Sequence, residues 1–244
     1  MEGLLAEQIK VLQEQVNRAK NIVFFGGAGV STESGIPDFR SENGLYRQKF
    51  KYPPEVMLSR TFFDSDPREF YEFYKERMLA TDAKSNAAHI KLAEMEKKGK
   101  LSAVITQNID GLHQKAGSKT VYELHGSIYR NFCMRCGKAY GVEKILSSDK
   151  VPHCDCGGIV KPSVVLYEEP LPEDAWTGAA AALENADMLI IAGTSLTVYP
   201  AAYLVQYFKG NFCAVINLSQ TSITDGCDLS ICARVGETLS QIRV

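Results

Sequence analysis

Short apolar runs alternate with segments of helical spacing along most of the 244-residue chain. Four of these runs are a few residues long, rich in aliphatic and β-branched side chains, and end at small or polar residues, a pattern typical of buried strands. They span residues 22–25, 103–106, 188–192 and 214–217. Strands that alternate with helices predict an α/β fold with a parallel sheet.

Helical segments are predicted where apolar residues recur every three or four positions. Between the strands, such segments span residues 64–79, 86–98 and 199–208. The N-terminal segment is also predicted to be a helix, and its apolar face consists of Leu5, Ile9, Leu12 and Val16. Acidic residues interrupt this segment, so it lacks the continuous apolar stretch of a signal peptide.

The carboxyl ends of the predicted strands carry small and polar residues. The four strands run into the segments GGAGVS, QNIDG, GTSLT and LSQTS. In open α/β sheets, ligands bind in the crevice beyond the carboxyl ends of the strands. The four ends therefore predict one composite binding site.

Composition limits the classes of partner. Apolar residues make up 45% of the chain and charged residues 23%, with a net charge of −2, as in an ordinary soluble globular protein. This charge gives no general attraction to nucleic acid or to an anionic membrane. Apolar runs such as residues 188–192 are too short to span a bilayer. A soluble, cytoplasmic protein is predicted, with no membrane association.

The glycine-rich turn after the first strand, residues 26–32, would let the backbone approach a pyrophosphate, with further N–H donors from a following helix. Its match to GxGxxG is partial because Thr32 replaces the third glycine, and a plain tight turn fits equally well. The acidic residue expected about 20 positions further on is missing, since Asp38 comes too early. The adenosine ribose must then be held from elsewhere, and Asn217 is a candidate.

Four of the seven cysteines form two close pairs separated by 17 residues. The pairs are Cys133 with Cys136, and Cys154 with Cys156. This arrangement is typical of a four-thiolate zinc site, in which a closed coordination shell leaves no position for water and the ion is structural. Unrelated buried cysteines are the alternative. The second pair has only one intervening residue, so its loop must be tighter, and Gly157 and Gly158 would supply backbone freedom.

The region around these pairs, residues 129–161, has little apolar periodicity and predicts a small inserted module held by something other than a hydrophobic core. It has no dense basic run with interleaved aromatic residues, so direct nucleic-acid binding is not expected. Cys213, Cys227 and Cys232 lie outside the module and are expected to be small buried packing residues.

Three segments carry more polar groups than folding alone requires: residues 34–40, 106–113 and 123–126. A strand end with Gln107, Asn108 and Asp110 could bind a carboxamide, a ribose or an ordered water. His125 precedes a glycine in a loop and is a candidate general base, because the ordinary histidine pKa lies near working pH. The other three histidines are expected to pack in helices or loops or, as His153 does, to flank the cysteines.

The chain resembles the bacterial-type sirtuin family in the order and spacing of its motifs. They are GAGVSTESGIPDFRSENGLY, TQNIDGLHQKAG, ELHG, the two cysteine pairs, KPSVVLYEE, GTSLTVYPAA and INLSQT. The resemblance covers the chain from about residue 21 to its end. It implies a doubly wound, Rossmann-like parallel-sheet domain beside a smaller lobe made of a zinc module and a helical insert. The larger domain would comprise residues 1–40, 84–128 and 162–244, and the smaller lobe residues 41–83 and 129–161.

The resemblance also implies NAD-dependent deacetylation of lysine in proteins or peptides, with nicotinamide, free lysine and O-acetyl-ADP-ribose as products. His125 would be the catalytic base and Asn108 a second catalytic residue, with Val165 and Tyr167 at the substrate. The implied NAD-binding residues are Ala28, Thr32, Phe39, Arg40, Gln107, Asn108, Ile109, Asp110, His125, Thr194, Ser195, Asn217 and Val235. The ligands of one structural Zn²⁺ would be Cys133, Cys136, Cys154 and Cys156.

Other activities use the same NAD site, namely removal of bulkier acyl groups and mono-ADP-ribosyl transfer to protein. A non-catalytic reader of acyl-lysine or ADP-ribose is an alternative from a different class, and the complete set of His125, Asn108 and Asp110 argues against it. The sequence departs from the family in the short Cys154–Cys156 spacing and in Pro170, which would stiffen the loop on the substrate side.

Acyl preference depends on the register of one helix. Sirtuins that remove acidic acyl groups resemble one another in a Tyr-x-x-Arg pair, which Tyr74 and Arg77 match literally. Alignment on the Phe-Tyr pair and on the NAAH segment instead places the family tyrosine at Tyr71 and the arginine position at Tyr74. Arg77 would then lie about one helical turn too far along. The acyl pocket is therefore predicted to lack a positive anchor, with Arg77 as a solvated charge.

Overall fold

The computed structural model describes residues 2–39, 41, 44–221 and 224–244. Nine strands lie within this part of the chain. They are β1 (Ile22–Gly26), β2 (Leu101–Thr106), β3 (Val121–Glu123), β4 (Gly126–Cys133), β5 (Ala139–Tyr140), β6 (Val160–Val164), β7 (Met188–Ala192), β8 (Phe212–Asn217) and β9 (Leu229–Cys232). Six of them form a parallel sheet in the order β3-β2-β1-β7-β8-β9, and the other three form a small antiparallel sheet in the order β5-β4-β6.

The larger sheet confirms the predicted α/β class. All four predicted strands are present, with β2 and β8 each beginning two residues earlier than expected. All five residues of β1 and of β7 are buried, as expected of a sheet covered on both faces. Since β1 pairs with β2 on one side and with β7 on the other, the strand order reverses between β1 and β7. Short β3 and β9 were missed because neither carries a continuous apolar run.

Nine α-helices lie in the described part of the chain. They are α1 (Glu2–Arg18), α2 (Pro54–Met57), α3 (Arg60–Ser65), α4 (Pro67–Arg77), α5 (Ala87–Lys97), α6 (Leu112–Ala116), α7 (Glu143–Leu146), α8 (Glu173–Asn185) and α9 (Val235–Ser240). The predicted apolar face of α1 packs on the large sheet, with Leu12 and Val16 buried in the core. The predicted helix at 86–98 is α5, which Asn86 caps by accepting a bond from the Ala88 N–H (2.9 Å). None of these helices is long and apolar enough to cross a membrane.

The helix predicted for residues 64–79 corresponds to α4, but the first two residues of that range belong to a separate helix, α3. Pro67 lacks an N–H and its ring clashes with a preceding turn, so it begins a helix and cannot continue one. The Asp66 carboxylate caps α4 by accepting a hydrogen bond from the Glu69 N–H (3.1 Å).

Two other predicted helical segments are 3₁₀ turns. The segment predicted at 199–208 is a 3₁₀ helix, Ala201–Tyr207, whose buried Ala201 and Leu204 match its three-residue period. The helix expected after the glycine-rich turn is replaced by two short 3₁₀ turns, Ala28–Val30 and Thr32–Ser34. Gly35 follows with a φ of 82°, which ends the helical path.

The inserted module is not independent of a hydrophobic core, contrary to expectation. Ile145 and Val160 are fully buried in a cluster with the aromatic side chains of α3 and α4. Those aromatic residues include Phe63, Phe70, Tyr71, Phe73 and Tyr74. The module showed no core of its own because half of that core comes from a segment far away in sequence. The boundaries 41–83 and 129–161 for the smaller lobe stay a prediction.

The three cysteines outside the module are not buried packing residues. Cys213 and Cys227 are half-buried and joined by a disulfide across a Cα–Cα distance of 4.9 Å, and Cys232 is exposed. The pairing follows from the register of β8 on β9, in which Ala214 lies opposite Leu229. This register brings Cys213, within β8, close to Cys227, which lies two residues before β9.

Candidate active site

One cavity of about 490 Å³ opens at the carboxyl ends of the large sheet, within the size range of small-molecule sites. It lies where the strand order reverses between β1 and β7, the position at which open α/β sheets bind ligands. The segments that follow β1, β2, β7 and β8 all contribute to its wall. The segments that were predicted to form one composite site therefore line one continuous cavity.

The glycine-rich turn is packed against the segment after β7. The Gly29 N–H donates to the Gly193 carbonyl oxygen (2.8 Å), and the Gly27 N–H donates to that of Ala192 (3.2 Å). A Cβ on Gly29 would lie 2.7 Å from Gly193 Cα, so a side chain cannot be accommodated there. Gly193 itself has a φ of 61°. These glycines therefore allow two protein loops to approach each other closely. In GxGxxG, by contrast, the second glycine lets the backbone approach a bound pyrophosphate.

A buried polar network links this turn to the end of β2. The Ser31 hydroxyl donates to the Asp110 carboxylate (2.6 Å) and accepts from the Asn108 side-chain amide (3.0 Å). The other Asp110 oxygen accepts from the Leu112 N–H (2.9 Å). The network fixes the orientation of two predicted site residues. Sequence reasoning missed Ser31, because its partners lie 79 and 77 residues away.

His125 lies between β3 and β4 and lines the cavity. Its Nδ1 is 2.9 Å from the carbonyl oxygen of Gln107. Because a carbonyl oxygen only accepts hydrogen bonds, Nδ1 carries the proton and the neutral ring has its lone pair on Nε2. Burial lowers the pKa of His125 below 6.5, and the bond to Gln107 opposes this shift only in part. The ring is therefore prepared as a base at neutral pH.

The side chains predicted at the adenosine half are occupied by contacts within the protein. The Asn217 amide accepts from the Thr194 N–H (3.1 Å) and donates to its carbonyl oxygen (3.0 Å). The Thr194 hydroxyl donates to the side-chain oxygen of Gln107 (2.9 Å). Asn217 therefore holds the loop after β7 in place, and its expected contact with a ribose stays a prediction.

All the predicted cofactor and substrate residues that the structure describes line this cavity. They are Ala28, Thr32, Phe39, Gln107, Asn108, Ile109, Asp110, His125, Val165, Tyr167, Thr194, Ser195, Asn217 and Val235. Arg40 lies outside the described residues. Val235 begins α9, which is tied to the glycine-rich side by a bond from the Gly236 N–H to the Glu33 carboxylate (2.6 Å). Glu33 is a further residue at the cavity that sequence reasoning missed.

The cysteine module brings its four sulfurs together, and all lie within 4.8 Å of one another. The Cys133 and Cys156 sulfurs are 3.4 Å apart, and those of Cys136 and Cys154 are 3.6 Å apart. Tetrahedral zinc, with Zn–S bonds of about 2.3 Å, places its sulfurs about 3.8 Å apart. The four thiols therefore fit one Zn²⁺ ion with a closed shell of sulfur ligands.

The tight second loop of this module depends on glycine, as predicted. Gly157 has a φ of 80°, a conformation that other residues rarely adopt. A Cβ on Gly158 would lie 2.7 Å from the Cys133 sulfur. The Tyr140 hydroxyl donates to the Cys154 sulfur (3.1 Å) and so supports a ligand from outside the cluster.

The sequence profile of the Sir2 family matches residues 27–200, which include the glycine-rich turn from Gly27 onward, His125 and the four cysteines. The chain belongs to the Sir2 family. A Clostridium acetobutylicum protein named NAD-dependent protein deacetylase is 57% identical to it over 98% of this chain and 99% of its own length. A Thermotoga maritima protein of the same name is 44% identical over 89% of this chain and 90% of its own length. The solved structure of Sir2 with a p53 peptide and NAD⁺ has a TM-score of 0.84 and 42% identity, with 95% of each chain covered.

The helix on which the predicted acyl preference depends is α4. Tyr71 and Tyr74 are buried in the aromatic cluster and do not line the cavity. Arg77 reaches the cavity wall, where its guanidinium pairs with Glu76 (2.8 Å) and lies 5.4 Å from the centre of the Phe50 ring. Arg77 is thus partly exposed and already paired, instead of being a fully solvated charge.

Proposed function

We propose that this Sir2-family chain is an NAD-dependent protein lysine deacetylase. It transfers the acetyl group of acetyl-lysine to ADP-ribose and releases nicotinamide, free lysine and O-acetyl-ADP-ribose. The observation that carries the proposal is the position of His125, which lines the cavity at the carboxyl ends of the sheet and whose Nδ1 is bonded to Gln107, so that Nε2 is unprotonated. The deacetylase names of relatives up to 57% identical support it.

When bound, NAD supplies an ADP-ribosyl group whose leaving group is nicotinamide. His125 would accept a ribose hydroxyl proton at Nε2, while its Nδ1–H stays bonded to Gln107 and keeps the ring oriented. The Ser31 network would hold Asn108 and Asp110 for the nicotinamide side. Positioned groups of this kind act by orienting the reactants and by excluding water from the reacting carbon.

One Zn²⁺ bound by Cys133, Cys136, Cys154 and Cys156 would act as a structural cross-link in the smaller lobe. Acetyl-lysine proteins or peptides would enter beside Val165 and Tyr167. We also propose a cytoplasmic location, because a cluster of four reduced thiols suits a reducing compartment. The Cys213–Cys227 bond is more typical of oxidising compartments, so cell fractionation is the test of location.

The activity is tested by incubating the protein with NAD and an acetyl-lysine peptide and identifying all products by mass spectrometry. Equal amounts of nicotinamide, deacetylated peptide and O-acetyl-ADP-ribose are expected. A peptide that gains the mass of ADP-ribose would instead show mono-ADP-ribosyl transfer. Binding of either ligand without any turnover would identify a reader and refute the enzyme.

The pKa of His125 predicts the acidic limb of the pH profile. Because burial lowers this pKa, the unprotonated ring persists below pH 6.5, and activity should be lost only as pH falls through the lowered value. We therefore expect kcat/KM for the acetyl peptide to be constant from pH 8 down to about 6.5 and to decline below that value. An acidic midpoint clearly above 6.5 would contradict this assignment. The protein's fold should be checked across the same pH range by circular dichroism.

Acyl preference is expected to favour uncharged groups. The Arg77 guanidinium is already paired with Glu76, and a bidentate carboxylate clamp tolerates little displacement. We expect turnover of an acetyl peptide to exceed that of the matched succinyl peptide by at least about tenfold, since an unpaired carboxylate in the pocket is costly. Arg77→Met should leave this ratio nearly unchanged, as should the control Arg47→Met. Succinyl turnover equal to or above acetyl turnover, and lost in Arg77→Met but not in Arg47→Met, would show that the register is wrong.

A further inference from the structure

Glu168 follows the predicted substrate residue Tyr167 in an unusual backbone conformation. Its φ is 78°, in the left-handed region where a side chain is strained. Among the described residues other than glycine, only Leu196 shares a positive φ. Glu168 is exposed, so burial in a core does not account for a large side chain at this position. A bond from the Glu169 N–H to the Leu166 carbonyl oxygen (3.0 Å) closes the turn that contains Glu168, and contacts of its side chain add to this bond.

The Glu168 carboxylate is bound by one residue of the helical insert. A single carboxylate oxygen accepts from the Thr61 N–H (2.9 Å) and from the Thr61 hydroxyl (2.7 Å). Thr61 lies in the first turn of α3, where a backbone N–H lacks a partner within the helix. The two bonds offset part of the strain of a glutamate at a position where the backbone favours glycine.

The backbone of Tyr167 is attached to the same segment. Its N–H donates to the Leu58 carbonyl oxygen (3.0 Å), and its carbonyl oxygen accepts from the Arg60 N–H (3.0 Å). Together with the Glu168 bonds, these contacts fasten residues 167–168 to residues 58–61 at four points. Tyr167 lines the cavity, so whatever fixes its backbone also fixes that part of the cavity wall.

The opposite end of this segment is attached to the catalytic side. The Val165 N–H donates to the carbonyl oxygen of His125 (2.9 Å). The segment 165–168 therefore connects His125 with the helical insert along the wall of the cavity. A shift at Glu168 would displace Tyr167, while Val165 stays attached beside the base. This arrangement separates substrate positioning from the chemical step.

We propose that Glu168 is a positioning residue for the acyl-lysine substrate. Its carboxylate, held by Thr61, stabilises the left-handed backbone that sets Tyr167 against the bound peptide. The inference rests on the proposed function, because it identifies the cavity wall at Tyr167 as part of the peptide site. Glu168 need not touch the substrate, since it acts through the backbone of its neighbour.

Kinetics of Glu168→Ala test the role. Loss of two hydrogen bonds to a charged group should raise KM for the acetyl peptide about 5- to 20-fold, while kcat and KM for NAD change by less than about twofold. Glu168→Gln keeps an acceptor oxygen and should recover most of the wild-type KM. Thr61→Val removes only the hydroxyl and should raise KM less, with no further increase when combined with Glu168→Ala. The control is Glu173→Ala, because Glu173 is also an exposed glutamate but lies in α8. This variant should leave KM for the acetyl peptide unchanged.

Glu168→Gly separates positioning from stability. Glycine adopts a φ of 78° without strain, so this variant should unfold at a temperature at or above that of Glu168→Ala. It should nevertheless show a raised KM for the peptide, because the bonds to Thr61 are lost. A purely structural role would make KM and stability change together, and a wild-type KM in Glu168→Gly would overturn the proposal.

Hydrogen exchange gives a readout that does not depend on catalysis. Backbone amides of residues 165–169 should exchange faster in Glu168→Ala and Glu168→Gly than in the wild type, and unchanged exchange would refute the attachment. If the wild-type protein turns over acetyl peptide and KM is unaffected in both variants, this inference fails and the proposed function stands. If the wild type shows no turnover, the proposed function fails. The role of Glu168 is then decided by calorimetry, which compares the affinity of the wild type, Glu168→Ala and Glu168→Gly for the acetyl peptide.

Discussion

Replacing His125 with alanine is expected to reduce deacetylation about 10²- to 10⁴-fold, the usual contribution of a general base. The variant loses the ring whose Nε2 would accept the ribose proton, whereas the Ser31 network and the loop after β7 do not depend on it. Affinity for NAD, measured by calorimetry, should therefore stay within a few-fold of the wild type. Single-turnover rates with an acetyl peptide at saturating NAD would measure the chemical step itself.

Two observations would keep this result interpretable. The thermal unfolding temperature of His125→Ala should match that of the wild type, because the ring lies at the cavity and outside the three apolar clusters. Added imidazole should restore part of the lost rate if a base is all that is missing. Retention of more than about a tenth of wild-type turnover would contradict general-base catalysis by this residue.

Removal of zinc is expected to unfold the smaller lobe. Metal binding by four thiolates is folding free energy, worth about 10–16 kcal/mol in small zinc modules. The same module contributes Ile145 and Val160 to the core that holds the aromatic residues of α3 and α4, so its loss exposes that cluster. Cys133→Ala, or chelation of the wild type, should lower the unfolding temperature and abolish activity through lost structure. Circular dichroism, thermal unfolding and metal analysis would follow these changes.

The matched control for this experiment is Cys232→Ala. Cys232 is exposed and lies outside the four-sulfur cluster, so its variant should retain one zinc per chain and wild-type stability. Clean protein with far less than one zinc per chain and full activity would exclude the zinc site. Zinc retained at full occupancy in Cys133→Ala would exclude Cys133 as a ligand.

The large sheet could be predicted from the sequence because its central strands are local features. β1 and β7 are short apolar runs whose residues are all buried, and their length and their aliphatic and aromatic composition favour strands over helices. The zinc module was predictable for the same kind of reason, since two close cysteine pairs limit the chemistry whatever surrounds them. The candidate site followed from the rule that parallel strands present their carboxyl ends at one edge.

Local reasoning failed where two segments share a structure. The core beneath the zinc module is built from Ile145 and Val160 together with the aromatic residues of α3 and α4, and neither half shows a core alone. The break at Pro67 was, by contrast, readable from the sequence, because a proline after a capping Asp66 begins a new helix. The apolar periodicity across it concealed that local signal.

The sequence by itself determined the central strands of the large sheet, the four-cysteine cluster and which loops would meet at the site. Tertiary structure alone decided how the polar groups of those loops are used. In the folded chain, the Ser31 hydroxyl forms hydrogen bonds with Asp110 and Asn108. The Asn217 side chain binds the backbone of Thr194, and the Glu168 carboxylate binds Thr61. Each of these bonds joins residues far apart in the chain, and a hydrogen bond forms only when packing brings donor and acceptor to within about 3 Å. Residue order does not encode that distance locally, because it results from the register of the strands and the packing of both lobes.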